Sequence, residues 1–248
     1  MADVALSAEE AAIAWIASYK AANQMITLDE MDRVIDLLEN PPAAGPLRSV
    51  LDTYSGPPIN FKAMREELSF YECSQNESEL NLMLEVIRGK HSLLEVGSRF
   101  GGTLRRMASV LAPQSLVVSI DFPMADGTPH AYNPLGSLKA NCQKISEMGH
   151  RVELILFDSR SPQVIADVRA LGPFDFGFID ADHSYEGVKA DWENYGPMCK
   201  VVGFHDINGN EDGCVRLWKE LKRNYRYSEF IDISGPRHLG IGLIHMDD

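Results

Sequence analysis

Five ionisable side chains stand at the ends of two short apolar runs. Phe174-Asp-Phe-Gly-Phe-Ile leads into Asp180, Asp182 and His183, and Val201-Val-Gly-Phe leads into His205 and Asp206. Carboxylates are hard oxygen ligands for divalent cations, imidazole suits transition ions, and either group can take a proton from a hydroxyl. Both runs are too short and too apolar for helices, so they read as strands buried on both faces. In an open parallel sheet, ligands lie outside the carboxyl ends of the strands, which predicts that these groups share one rim. Asp180 is also a residue that could cap the helix that follows, a lesser alternative, and His183 could equally serve that helix or a backbone carbonyl. Tyr185, Glu186 and Lys189 read as the body of that helix, with Asp191 and Trp192 on its surface or in its core.

The elements that would position this rim alternate regularly. Strands are expected at 92–97, 115–121, 151–157, 174–180 and 200–205, and helices at 101–112, 135–148, 161–171, 185–197 and 211–224. Such alternation means βαβ units and a parallel sheet. The end reads as a hairpin: Glu229–Ser234, a Gly235-Pro236 turn, then Leu239–His245. The expected class is α/β, a doubly wound, mostly parallel seven-stranded sheet with a C-terminal antiparallel hairpin. Residues 76–248 form this domain, entered through a helix starting at Asn76. Residues 1–75 form a helical extension and linker. Ser7 and Glu10 have capping-box spacing before a helix over 7–23. Thr27 and Glu30 have the same spacing before one carrying Met31, Val34, Ile35 and Leu38. The Pro- and Gly-rich stretch 41–58 reads as a linker or a loop laid over the body. The extension is expected to serve a homodimer contact or a lid.

Between the first strand and its helix lies Glu95-Val-Gly97-Ser98-Arg99-Phe100-Gly101-Gly102. A glycine-rich turn at a helix start is where a nucleotide-like ligand meets such a sheet. Arg99 occupies the position where a dinucleotide fold needs its second glycine, and no Gly-Lys-Ser/Thr follows, so NAD and P-loop chemistry are disfavoured. The next strand ends in Asp121, able to accept ribose hydroxyls. The third ends in Asp158-Ser159, within reach of an adenine edge. A nucleoside without phosphates fits this set.

At these residues the chain resembles the class I S-adenosylmethionine-dependent methyltransferases. Glu95-Val-Gly97-x3-Gly101, Asp121, Asp158 and Ile179-Asp-Ala-Asp-His-Ser-Tyr-Glu-Gly-Val-Lys189 carry the resemblance. The Asp180 block and Phe204-His-Asp206 are similar to the small-molecule O-methyltransferase branch that includes macrolide-sugar and catechol-type enzymes. The resemblance implies a Rossmann-like methyltransferase fold over about 75–245 and S-adenosylmethionine as cofactor. Glu95, Gly97, Ser98 and Gly101 would surround the methionine moiety, Asp121 the ribose, and Asp158 with Ser159 the adenine. It also implies a divalent metal, Mg2+ or Mn2+, on Asp180, His205 and Asp206, with Asp182 as general base and His183 as the alternative. His205 departs from the family, where an acidic ligand is more usual. The implied reaction is methyl transfer to a hydroxyl oxygen of a sugar or phenol-like small molecule.

The bulk properties bound the partners. With 248 residues, 45% hydrophobic, the chain can bury a sizeable core. A formal net charge of −13 argues against nucleic acid, and the basic cluster from Lys219 to Arg226 reads as the wet face of a helix. The four cysteines have no paired spacing, no apolar run is long enough to span a bilayer, and the amino terminus lacks a signal peptide's basic region. A cytoplasmic protein that binds neither membrane nor nucleic acid is expected. Two other classes remain: a non-catalytic S-adenosylmethionine-binding module, and a metal-dependent hydrolase or hydroxylase using the same Asp/His rim.

Overall fold

The computed structural model describes residues 9–10, 12–13, 27–56, 58–73, 75–122, 134–209, 213–234 and 238–246. The N-terminal part holds α1 (Leu28–Glu39), α2 (Pro46–Thr53) and α3 (Phe61–Glu72). Then follow α4 (Glu77–Ile87), β1 (Ser92–Val96), α5 (Gly102–Ala108), β2 (Leu116–Asp121), α6 (Pro134–Glu147) and β3 (Arg151–Leu156). The second half holds α7 (Pro162–Leu171), β4 (Phe176–Ile179), α8 (Tyr185–Tyr195), β5 (Val201–His205), α9 (Gly213–Leu221), β6 (Arg226–Phe230) and β7 (Ile241–His245). The strands form one sheet of order β3-β2-β1-β4-β5-β7-β6. β1 to β5 pair in parallel, and β7 runs antiparallel between β5 and β6. This is the doubly wound sheet with a C-terminal antiparallel pair that the alternation predicts.

Register builds the rim. Val96 pairs with both Ile120 and Ile179, and Ile179 pairs with Phe204. The residues one step on, Gly97, Asp121, Asp180 and His205, therefore end their strands at a common level. Chain order runs outward in both directions from β1 and β4, which makes that pair the topological switch point where a ligand crevice opens.

Alternation along the strands sends side chains to two helical layers. Leu94, Val96, Val118 and Ile120 pack with α7, α8 and α9. Leu93, Val117, Phe176 and Phe178 pack with α4, α5 and α6. A third cluster joins Leu28, Met31, Val34, Ile35, Leu38, Leu47 and Leu68 to Phe100 of the glycine loop. Thr27 caps α1 in the expected capping box with Glu30.

Several expectations are corrected. The stretch 41–58 is not loop throughout: α2 begins at Pro46, a first-turn position where the missing N–H costs nothing, and Leu47 is buried. Residues 61–72, unassigned from sequence, form α3. The basic cluster is not one helix face, because α9 ends at Leu221 and Arg226 opens β6. The first strand of the hairpin also lies earlier than Glu229–Ser234. Tyr227 packs edge-on against Trp218 at 5.9 Å and Glu229 accepts from Trp218 Nε1 at 2.6 Å, anchoring Arg226–Phe230, while Ile233 is 76% exposed. β3 ends at Leu156, so Asp158 and Ser159 lie in the turn beyond it. Of the 7–23 helix, residues 9, 10, 12 and 13 are helical. Ser7, the Gly235-Pro236 turn and residues 123–133 of the expected pocket loop (Phe122–Pro134) lie outside the described residues.

Candidate active site

β4 and β5 deliver the acidic and imidazole groups. His205 Nδ1 lies 3.4 Å from Asp180 Oδ1 and 3.4 Å from Asp206 Oδ1. His183 completes the cluster, with Nδ1 3.1 Å from Asp206 Oδ2 and Nε2 3.4 Å from Asp180 Oδ1. Burial works against the His205 imidazolium, but the Asp180 and Asp206 carboxylates outweigh it and hold His205 up at about 10. Burial likewise opposes ionisation of Asp180, yet His205 and His183 keep it below its usual value. His183 is raised, mainly by its contact with Asp180.

Asp206 adopts a left-handed backbone with φ of 56°, a conformation that costs a non-glycine residue energy and is found disproportionately at functional sites. Its Oδ1 and His205 Nε2 are buried with no hydrogen-bond partner among the described residues. Helix capping does not account for Asp180 or His183: Ser184 is the N-cap of α8, its hydroxyl accepting from Gly187 N at 3.1 Å. Asp182 turns away from this group. It accepts from Ser184 N at 2.9 Å, and its other oxygen lies 3.8 Å from the Arg160 guanidinium.

Across the switch point stands the glycine loop. Gly97 has φ of 90°, and a Cβ there would lie 2.3 Å from the Asp180 carbonyl, so only glycine lets the two strand ends come this close. Arg99 is left-handed too, with φ of 49°, and its N–H donates to Asp121 Oδ2 at 2.6 Å. Gly101 is the left-handed N-cap of α5. Ser98 and Ser119 share a hydroxyl hydrogen bond of 2.7 Å beneath the loop. Glu95, 1% exposed, keeps Oε2 without a partner among the described residues. Burial pushes it up to about 8, with Asp180 and Asp121 adding to the effect. Farther along the rim, Asp158 is held below its usual value by Arg160, whose Nε donates to it at 3.1 Å. Ser159 Oγ donates to Asp191 Oδ1 at 2.7 Å, and Tyr195 donates to the Ser159 carbonyl.

Two site residues escape the sequence reading. Gln75 donates from Nε2 to Asp180 Oδ2 at 2.9 Å. Asp191 is 1% exposed and raised to about 6, mainly by burial. Asp191 sits three residues after Val188 on α8, and that inward spacing was a usable signal. Gln75, in a short joint between helices, offered none.

Residues 94–207 match the family model of a methyltransferase domain. This segment runs from β1 through the rim aspartate of β5. No curated protein matches the chain at the sequence level. Solved structures share the architecture of this sheet and its flanking helices. The O-methyltransferase TomG from Streptomyces achromogenes, in complex with SAM, is 17% identical with a TM-score of 0.53, covering 74% of this chain and 86% of its own. The O-methyltransferase from Bacillus cereus, in complex with SAH, is 15% identical with a TM-score of 0.53, covering 80% and 96%. CalS11, a TDP-rhamnose 3'-O-methyltransferase of calicheamicin biosynthesis, is 19% identical with a TM-score of 0.51, covering 92% and 99%.

The rim offers a set of side chains that could hold a divalent ion. Asp180, His205 and Asp206 each offer one ligand atom, all within 4.8 Å of one another. Two carboxylates with one imidazole suit Mn2+ or another transition ion better than Mg2+. Asp206 Oδ1, buried and without a hydrogen bond among the described residues, is the kind of acceptor that a cation satisfies.

Proposed function

We propose that the protein transfers a methyl group from S-adenosylmethionine to a hydroxyl oxygen of a small molecule, assisted by a divalent ion. The observation that carries this reading is the placement of Asp180, His205 and Asp206 across the β1/β4 switch point from the glycine loop. An ion bound there lowers the pKa of an acceptor hydroxyl and fixes its position. Asp180, His205 and Asp206 would hold it. The carboxylate of Glu95, buried beside the loop, suits the ammonium of the methionine moiety, and Gly97, Ser98 and Gly101 leave room for it. Asp121 faces the ribose and Asp158 with Ser159 the adenine. The sulfonium supplies the methyl group, and transfer is an in-line displacement, so aligning donor and acceptor is most of what the protein must do. Of the two candidate bases, His183 is the one that lies against the ion-binding carboxylates, and we assign it the acceptor proton. Asp182 instead fixes the turn before α8.

A second reading keeps the reaction and drops the ion. His205, between two carboxylates, can itself supply the positive charge that balances them. Incubating the protein with methyl-labelled S-adenosylmethionine and a panel of sugars and phenols, with and without chelator, tests both. Turnover that disappears on chelation and returns with Mn2+ supports the first reading. Full turnover in chelator supports the second. Cofactor binding without methylation of any hydroxyl would leave a binding module.

A further inference from the structure

We propose that Gln75, which is not itself a ligand, selects the size of the ion by holding one of the two Asp180 oxygens in a hydrogen bond and so disfavouring two-oxygen coordination; this rests on the ion-assisted reading above. Gln75 is buried, 8% exposed, at the joint between α3 and α4. Its amide is satisfied at both ends. Nε2 donates to Asp180 Oδ2 at 2.9 Å, while Oε1 accepts from Thr103 Oγ1 and from Cys73 Sγ, the latter at 3.1 Å. Turning the amide over would set a carbonyl oxygen against a carboxylate, so Asp180 itself fixes the orientation.

The two Asp180 oxygens are thereby divided. Oδ2 belongs to Gln75, and Oδ1 is the atom that faces His205 and His183. A carboxylate in this state offers an ion Oδ1 first, because Oδ2 can take part only by sharing its lone pairs with the Gln75 hydrogen bond. Ca2+ favours six to eight oxygens and readily takes carboxylates with both, whereas Mg2+ and Mn2+ accept one oxygen per carboxylate in a six-coordinate shell. The backbone holds the arrangement from outside the rim. The Glu72 carbonyl crosses the start of α5 so closely that a Cβ on Gly102 would lie 1.2 Å from it. That crossing seats Gln75 between Thr103 and Asp180. Ion choice is then set by a residue of the N-terminal segment.

The test is calorimetric titration of chelator-stripped, full-length protein with MnCl2 and with CaCl2. Wild type is compared with Gln75→Leu, which keeps the volume without the amide, and with Gln75→Ala. Thermal shift with S-adenosylhomocysteine reports that each variant is folded. Wild type is expected to prefer Mn2+, and the Mn2+/Ca2+ affinity ratio should fall about tenfold in the variants, the weight of one hydrogen bond to a charged group. An unchanged ratio, or equal weakening of both ions, overturns the inference while leaving the ion site standing. If wild type binds no Mn2+, the inference and the ion-assisted reading fall together.

Discussion

The proposed function puts Asp121 at a binding end and the His183/Asp182 pair at a reacting end, and single substitutions should separate them. Asp121 meets the Arg99 N–H from the end of β2, a position from which a carboxylate can take two ribose hydroxyls. Hydrogen bonds to charged groups contribute about 1.5–3 kcal/mol each, so Asp121→Ala should weaken S-adenosylmethionine binding at least about tenfold by calorimetry. Unchanged affinity in a folded variant would remove the ribose assignment. At the reacting end, His183→Asn should lower kcat by roughly 10²–10⁴-fold with cofactor affinity nearly intact. Asp182→Asn should cost far less, because its carboxylate is engaged with Ser184 N and Arg160. If the two variants rank the other way in single-turnover kinetics, Asp182 is the base.

Helix α8 connects the two ends. Its N-cap Ser184 closes the turn that carries Asp182 and His183, and Ser184→Ala should cost about 1 kcal/mol in urea unfolding. Farther along α8, Asp191 holds the turn after β3 through Ser159. Facing it are Arg160, Asp158 and Asp182, and Tyr195 lies on the same helix. Burial and those carboxylates raise its folded-state value to about 6, above the value of about 3.9 in an unfolded chain. The stability Asp191 contributes is therefore present in full below about pH 4 and is lost as pH rises through about 6. Asp191→Asn keeps an acceptor for Ser159 and removes the titration. It should be more stable than wild type at pH 7.5, by up to about 3 kcal/mol, with the gap closing toward pH 4. A gap in urea midpoints that does not depend on pH would show that Asp191 is ionised at no such cost.

At the scale of the whole molecule, the N-terminal helices are tied to the site more closely than an appendage would be. Phe100 of the glycine loop is 2% exposed within their core, the Leu28 N–H donates to Ser137 Oγ at 3.0 Å, and Gln75 reaches Asp180. A chain cut to 76–248 would expose Phe100 and lose the Gln75 hydrogen bond. It should have a lower Tm and lose most cofactor affinity. A truncated protein that melts at the full-length temperature and methylates at the full rate would refute this.

What could be read in the sequence follows from short-range rules. Val201–Phe204 and Phe176–Ile179 announce buried strands because a parallel sheet covered on both faces demands unbroken apolar runs. The rim residues Asp180, His205 and Asp206 follow because they come one step after those strands. The misplaced elements were those whose local signal was ambiguous or opposed by packing. Pro46 starts a helix within the stretch that reads as linker or loop, and Arg226–Phe230 becomes a strand because Trp218 offers it a surface. Tertiary structure alone decided that His183 joins the carboxylates while Asp182, its neighbour in the chain, turns to Arg160. It alone brought Gln75 to Asp180 and gave Asp191 its partner Ser159. The physical reason is common to all of these: strand periodicity fixes the face a residue occupies, but the direction of a side chain in a turn depends on partners distant in the chain.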